Sequence, residues 1–163
     1  MAEGDTERLR VGLGFDVHPR DESRPCWIGG ELFEHEPGFA GHSDGDVLCH
    51  ALADALLGGA GLADVGAHFP DTDPQYAGMG GLDLLDRTVS LVGDQGFTVS
   101  SCDCTVVADR PPVAGRRNEI RNNLARVLGI ASERVSVKAT RPEGLGLTGD
   151  GAACFAIALL TAR

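Results

Sequence analysis

Aromatic residues are scarce in this chain: 5% of 163 residues, with one Trp and one Tyr. Cations are short as well, 14 Lys and Arg against 24 Asp and Glu, for a net charge of -10. A nucleic-acid surface needs a basic patch, usually interleaved with aromatics, so this composition argues against a nucleic-acid partner. An anionic small molecule is still compatible, provided metal ions and a few local Arg residues overcome the background field. No apolar run reaches membrane-spanning length, and no cationic segment followed by an apolar one opens the chain. No membrane partner and a cytoplasmic location are therefore expected. The five cysteines contain no C-x-x-C pair. Their odd number argues against a disulfide framework, and buried, reduced thiols are expected instead.

Several familiar motifs are incomplete. Gly12-Leu13-Gly14-Phe15-Asp16-Val17 lacks the third glycine of a dinucleotide fingerprint and lies within a strand. Leu147-Thr148-Gly149-Asp150-Gly151 lacks the Lys-Ser/Thr of a phosphate-binding loop. No G-x-S-x-G nucleophile motif is present.

What is present are two segments rich in metal ligands. Asp16-Val17-His18 follows the strand-like run Leu9 to Phe15. On a strand, positions i and i+2 share a face, so both side chains can reach one ion. The second segment is His42-Ser43-Asp44-Gly45-Asp46-Val47-Leu48-Cys49-His50. It reads as a helix start with Ser43 as N-cap and Asp46 completing a capping box. His50 then lies about two turns in, sharing a face with Asp46 and Asp54. Either carboxylate is a candidate partner for the second ring nitrogen of a ligating His50. The alternative is that Asp46, His50 and Asp54 form only a solvated stripe. One carboxylate and two imidazoles with an open fourth position is the layout of a catalytic zinc centre.

Along the chain, Met1 to Arg8 is polar and expected to be a disordered tail, with a single domain over residues 9–163. Val11 to Val17 reads as a strand, and Trp27 to Phe33 as a hairpin turning at Gly29-Gly30. Helices are expected at Ser43 to Leu57, Leu82 to Val92 and Arg116 to Leu128, the last ended by Gly129. Asp64 to Pro74 reads as a turn-rich loop, and Phe97 to Ala108 and Arg134 to Thr140 as strands. The run Ala152 to Ala162 is ambiguous: its alanines favour helix, while its near-continuous apolarity also fits a buried strand. The alternation of strands and helices gives a two-layer α/β or α+β domain, a β-sheet packed against helices.

Taken together, Gly14-x-Asp16-Val17-His18, His42-Ser43-Asp44-Gly45-Asp46-Val47-x-x-His50 and Phe69-Pro70-Asp71-Thr72-Asp73-Pro74 carry a specific resemblance. Val137 to Thr140 before Glu143-Gly144-Leu145-Gly146-Leu147-Thr148-Gly149 extends it. From about Arg10 to the C-terminus the chain resembles the 2-C-methyl-D-erythritol 2,4-cyclodiphosphate synthase family of the non-mevalonate isoprenoid pathway. The resemblance implies a homotrimer of α+β subunits with active sites at the interfaces. It implies a phosphorus–oxygen lyase that cyclises 4-diphosphocytidyl-2-C-methyl-D-erythritol 2-phosphate and releases CMP. By position, Asp16, His18 and His50 are similar to the family's zinc ligands. Glu143 is similar to a ligand of a second ion, Mg or Mn, bridging the diphosphate. His42 matches a residue that aligns the phosphate. Ser43, Asp64, Val65 and Gly66 match the pocket for the methylerythritol portion, and Phe69, Pro70, Asp71, Thr72 and Asp73 its adjoining loop. Ala108, Asp109, Arg110, Pro111, Pro112, Val113 and Ala114 match the cytidine segment. Val17, Thr140, Arg141, Pro142 and Leu147 complete the implied substrate contacts.

The chain departs from the family pattern at several points. Pro112 stands where the family usually has lysine, and proline has no N–H to offer a base. Arg141-Pro142 replaces two threonines before Glu143. Asp150 and Ala152 replace an Arg and a Glu that the family places near the trimer axis, beside a cavity for isoprenoid diphosphates. Weak binding of such diphosphates is therefore expected. Arg141 is expected to contact the phosphate by another route, since a guanidinium grips phosphate bidentately. The alternative is a diverged, slow or inactive trimeric metal-binding relative.

Overall fold

The computed structural model describes residues 9–146 and 148–163. The expected tail at residues 1–8 and the substrate contact Leu147 lie outside them. Five strands form one sheet in the order β2-β1-β5-β3-β4. They are β1 (Leu9–Ile28), β2 (Glu31–Phe39), β3 (Phe97–Ala108), β4 (Val135–Thr140) and β5 (Gly151–Ala162). Only β3 and β4 run parallel; the other pairings are antiparallel, so the sheet is mixed. Among the described residues, four α-helices accompany it: α1 (Val47–Ala60), the single turn α2 (Val65–His68), α3 (Gly81–Asp94) and α4 (Arg117–Leu128). This is the expected α+β arrangement. No described helix is long and apolar enough to cross a membrane.

β1 is much longer than the seven residues read as strand. It runs through a bulge and turns at Gly29-Gly30 into β2. The ambiguous last segment is a strand, between β1 and β3. Ala152, Cys154, Ala156, Ala158 and Leu160 are wholly buried, while Phe155 and Ile157 on the other face are 40% and 48% exposed. Pairing on both edges and burial of every second side chain outweigh the helical preference of alanine. All five cysteines are free and buried, as expected.

β1 has two unlike faces. Leu9, Val11, Leu13, Phe15 and Val17 are exposed, whereas Gly12 and Gly14 are buried against α1. A Cβ on Gly12 would lie 1.8 Å from the carbonyl oxygen of Ala55, and one on Gly14 would lie 1.8 Å from that of Ala51. The Gly-x-Gly pair is thus a seat for the backbone of α1. Asp16 and His18 continue the same face, so the seat brings His50, next to Ala51, over them. Gly14→Ala should therefore lift the helix. We expect a loss of about 3 kcal/mol or more in urea unfolding, because the obstacle is backbone rather than a mobile side chain. An unchanged midpoint would contradict this packing.

Candidate metal centre and substrate cavity

Asp16, His18 and His50 converge. Their ligand atoms all lie within 4.8 Å of one another. His18 Nε2 is 2.7 Å from Asp16 Oδ2, and His50 Nδ1 is 3.8 Å from the same oxygen. Despite that closeness, Asp16 Oδ2 and His18 Nε2 are buried without an aligned hydrogen bond. Two buried polar atoms that neglect each other while sharing a third neighbour fit a common cation between them. Burial pulls the His18 imidazolium down. The adjacent Asp16 carboxylate, helped by the Ala40 backbone and Asp46, outweighs that and holds His18 above the usual range.

The helix start differs from the sequence reading. Ser43 does not cap it. Asp46 does, with its Oδ1 accepting from Leu48 and Cys49 N–H at 3.1 and 3.0 Å. The same carboxylate accepts from Gly29 and Gly30 N–H at 2.9 and 2.8 Å, tying the hairpin turn to α1. Asp46 is fully buried, so the solvated-stripe alternative does not hold. Nor is it a carboxylate partner for His50, since its side chain is committed to backbone donors. Asp54 instead accepts from Val65 N–H at 2.8 Å. The partners of His50 are the Ser43 hydroxyl, 2.9 Å from Nε2, and the Asp46 carbonyl, 2.7 Å from Nδ1. The Asp46 carbonyl can only accept, so Nδ1 donates to it and Nε2 accepts from the Ser43 hydroxyl; the two contacts fix the orientation of the ring beside Asp16 and His18.

Beside the triad lies a cavity of about 340 Å³, whose lining includes His18, His42, Ser43, His50, Val65, Gly66, Phe69, Pro70 and Asp71. Tyr76, Met79 and Leu84 also line it and were not singled out from the sequence. Tyr76 meets Phe69 edge-on, with centroids 5.5 Å apart. An adjoining hollow of about 400 Å³ adds Asp16, Asp54 and Asp64. Asp64 also caps α2, accepting from Ala67 N–H at 2.9 Å. Thr72 is exposed on the same loop, and Asp73 caps the next turn by accepting from Gln75 N–H at 3.0 Å. Val17 points to the opposite face of β1 from its neighbours.

The remaining expected residues do not line these two hollows. Ala108 ends β3 and residues 109–114 follow it, with Pro111 and Val113 buried and Asp109, Arg110, Pro112 and Ala114 exposed. Arg110 pairs with Glu36 at 2.8 Å. Thr140 ends β4; Arg141 and Glu143 are exposed beyond it, Pro142 is buried, and Glu143 adopts φ 53°. Asp150 pairs with Arg20 of β1 at 3.0 Å. That partner offsets the charge on which the weak-diphosphate expectation rested.

Residues 9–163 match the YgbB family. A synthase from Symbiobacterium thermophilum named 2-C-methyl-D-erythritol 2,4-cyclodiphosphate synthase is 46% identical over 95% of this chain and 100% of its own. This chain belongs to the YgbB family. A solved structure of a family synthase in its CDP-bound form superposes with a TM-score of 0.85 at 34% identity, covering 93% of this chain and 99% of that one. The bifunctional IspDF of Campylobacter jejuni matches with a TM-score of 0.90 at 36% identity, over 95% of this chain and 42% of that longer protein. The Asp16-His18-His50 cluster is thus a candidate metal site in a family of isoprenoid synthases.

Proposed function

We propose that this chain catalyses metal-dependent cyclisation of 4-diphosphocytidyl-2-C-methyl-D-erythritol 2-phosphate to 2-C-methyl-D-erythritol 2,4-cyclodiphosphate, releasing CMP. The observation that carries the reading is the convergence of Asp16, His18 and His50 where the cavity lined by His18 and His50 meets the hollow lined by Asp16 and His50, in a chain whose relatives bear the synthase name. An oxygen of the 2-phosphate attacks the β-phosphorus. The bond from that phosphorus to the bridging oxygen breaks, and CMP leaves with the oxygen and its electron pair.

Asp16, His18 and His50 would hold a divalent ion, zinc by its carboxylate and imidazole donors; Glu143 would hold a second, magnesium or manganese. A cation bound there supplies neutralisation of charge on the phosphoryl oxygens. The chain's own work is placement. The Asp46 carbonyl and the Ser43 hydroxyl orient the His50 ring, and His42 aligns the phosphate from the cavity rim. Phe69 and Tyr76 limit water at one end. Holding both phosphates of one molecule in register is worth up to roughly 7–11 kcal/mol. No side-chain nucleophile is needed, in keeping with the absence of a nucleophile motif.

The active assembly is proposed to be a cytoplasmic homotrimer of single-domain subunits, with the cytidine segment Ala108 to Ala114 and the metal triad of neighbouring subunits sharing one site. The exposed apolar face of β1 and β5 supports this. Incubation with the diphosphocytidyl substrate tests the function. Cyclic diphosphate and CMP are expected; linear products would indicate a hydrolase, and no CMP a non-catalytic relative.

Arg141 tests whether the departures are repair or decay. As a phosphate ligand its loss in Arg141→Ala should slow cyclisation by about tenfold or more, roughly 1.4 kcal/mol, with Arg141→Thr no better. A marked gain in Arg141→Thr, with Arg141→Ala harmless, would favour the diverged relative.

A further inference from the structure

His42 sits between β2 and α1, on a stretch without regular secondary structure, and its exposed side chain lines the cavity. Its backbone, by contrast, is held on both sides. The Gly41 carbonyl accepts from Nη1 of Arg24 at 2.5 Å, and the Ser43 carbonyl accepts from Nη2 of the same guanidinium. The intervening carbonyl, that of His42 itself, accepts from Gly78 N–H at 3.0 Å. One guanidinium therefore straddles His42, gripping the peptide oxygens before and after it.

Arg24 reaches this position because β1 is bulged. The pairings Asp21 with Gly38 and Pro25 with Pro37 leave residues 22–24 without partners on β2. Asp21 closes the bulge, its Oδ1 accepting from the N–H and hydroxyl of Ser23 at 2.9 and 2.6 Å. Opposite, a Cβ on Gly38 would lie 2.2 Å from the Pro25 carbonyl oxygen and 2.7 Å from that of Arg24. Bulges re-aim side chains, and this one turns a half-buried Arg toward the His42 loop.

We propose that Arg24 is a positioning residue for His42. Its rigid, permanently charged fork fixes the Gly41–His42 and Ser43–Asp44 peptide planes, while Gly78 holds the plane between them, and so keeps the imidazole at the cavity wall. The catalytic consequence rests on the role given to His42 in the proposed cyclisation; the clamp itself does not.

Arg24→Ala and Arg24→Lys separate the possibilities. In Arg24→Ala, kcat for CMP formation should fall about tenfold or more, with KM changed less and zinc content unchanged. Millimolar guanidinium should restore part of kcat in Arg24→Ala alone. Arg24→Lys should lie between, since one ammonium cannot fork across two carbonyls. The ring resonance of His42, followed by histidine-selective NMR, should be single and sharp in the wild type and broadened or split in Arg24→Ala. Wild-type kcat in Arg24→Ala, a loss of kcat that tracks loss of zinc, or an unchanged His42 resonance would each overturn the proposal. If the wild type releases no CMP, the cyclase reading falls, and the His42 resonance alone decides the clamp. Arg24→Gln serves the same comparison should Arg24→Ala not fold.

Discussion

His50→Ala and Asp16→Ala are each expected to yield a folded protein that retains no tightly bound zinc and forms CMP about a thousandfold more slowly, roughly 4 kcal/mol in the barrier. His50 and Asp16 are half-buried and line the adjoining hollow rather than the deep core, so stability should suffer less than activity. Removing either leaves two protein donors on the ion, too few to hold it against a chelator. Asp16→Asn sharpens the test, because it keeps the shape and removes only the charge. Wild-type protein stripped by a chelator should match the variants, and added zinc should restore the wild type alone. Elemental analysis and chromatographic detection of CMP provide the readouts. Full metal content and full turnover in His50→Ala would dismantle the site.

The second large effect concerns the outward face of the sheet. Leu13 and Ile157 are paired across β1 and β5, and are 69% and 48% exposed. Phe15 and Phe155 lie beside them with ring centroids 4.7 Å apart. A row of seven apolar side chains, Leu9, Val11, Leu13, Phe15, Val17, Phe155 and Ile157, is more than a monomer usually shows to water. Covering a Leu or Ile contributes about 1.5–3 kcal/mol. Leu13→Asp with Ile157→Asp should therefore weaken association by at least about 3 kcal/mol per subunit, a hundredfold or more, before the cost of desolvating the new carboxylates. Sedimentation should show a trimer in the wild type and a monomer in the double variant. On the proposed sharing of each site between neighbours, CMP formation should vanish with the trimer. A wild-type monomer with full activity would contradict both the assembly and the shared site.

Much of the site was legible in the sequence because it depends on short-range geometry. Asp16 and His18 share a face through strand pleating alone, and His50 still reaches them although the helix starts at Asp46 rather than Ser43, which puts it one turn in instead of two. The shift itself was not legible. Ser43 and Asp46 are both good caps, and which one caps depends on Gly29 and Gly30 N–H arriving from the hairpin to fix the Asp46 carboxylate. The second coordination partners were misread for the same reason: spacing put Asp46 and Asp54 near His50, but more distant backbone donors claimed both carboxylates.

By itself the sequence determined the candidate ligand set, a two-layer domain of strands and helices, the hairpin at Gly29-Gly30 and the free thiols. Each of these follows from local periodicity, turn chemistry or residue type. The tertiary structure alone decided that Ala152 to Ala162 is a strand, that Gly12 and Gly14 seat α1 so that His50 reaches Asp16, and that a bulge carries Arg24 to the His42 loop. In each case the deciding contact joins separate elements of the chain: β5 with β1 and β3, β1 with α1, and a bulge whose shape is set by Gly38 on the facing strand. Such contacts leave no periodic trace in the chain, because burial and close backbone approach are properties of the packed pair rather than of either segment alone.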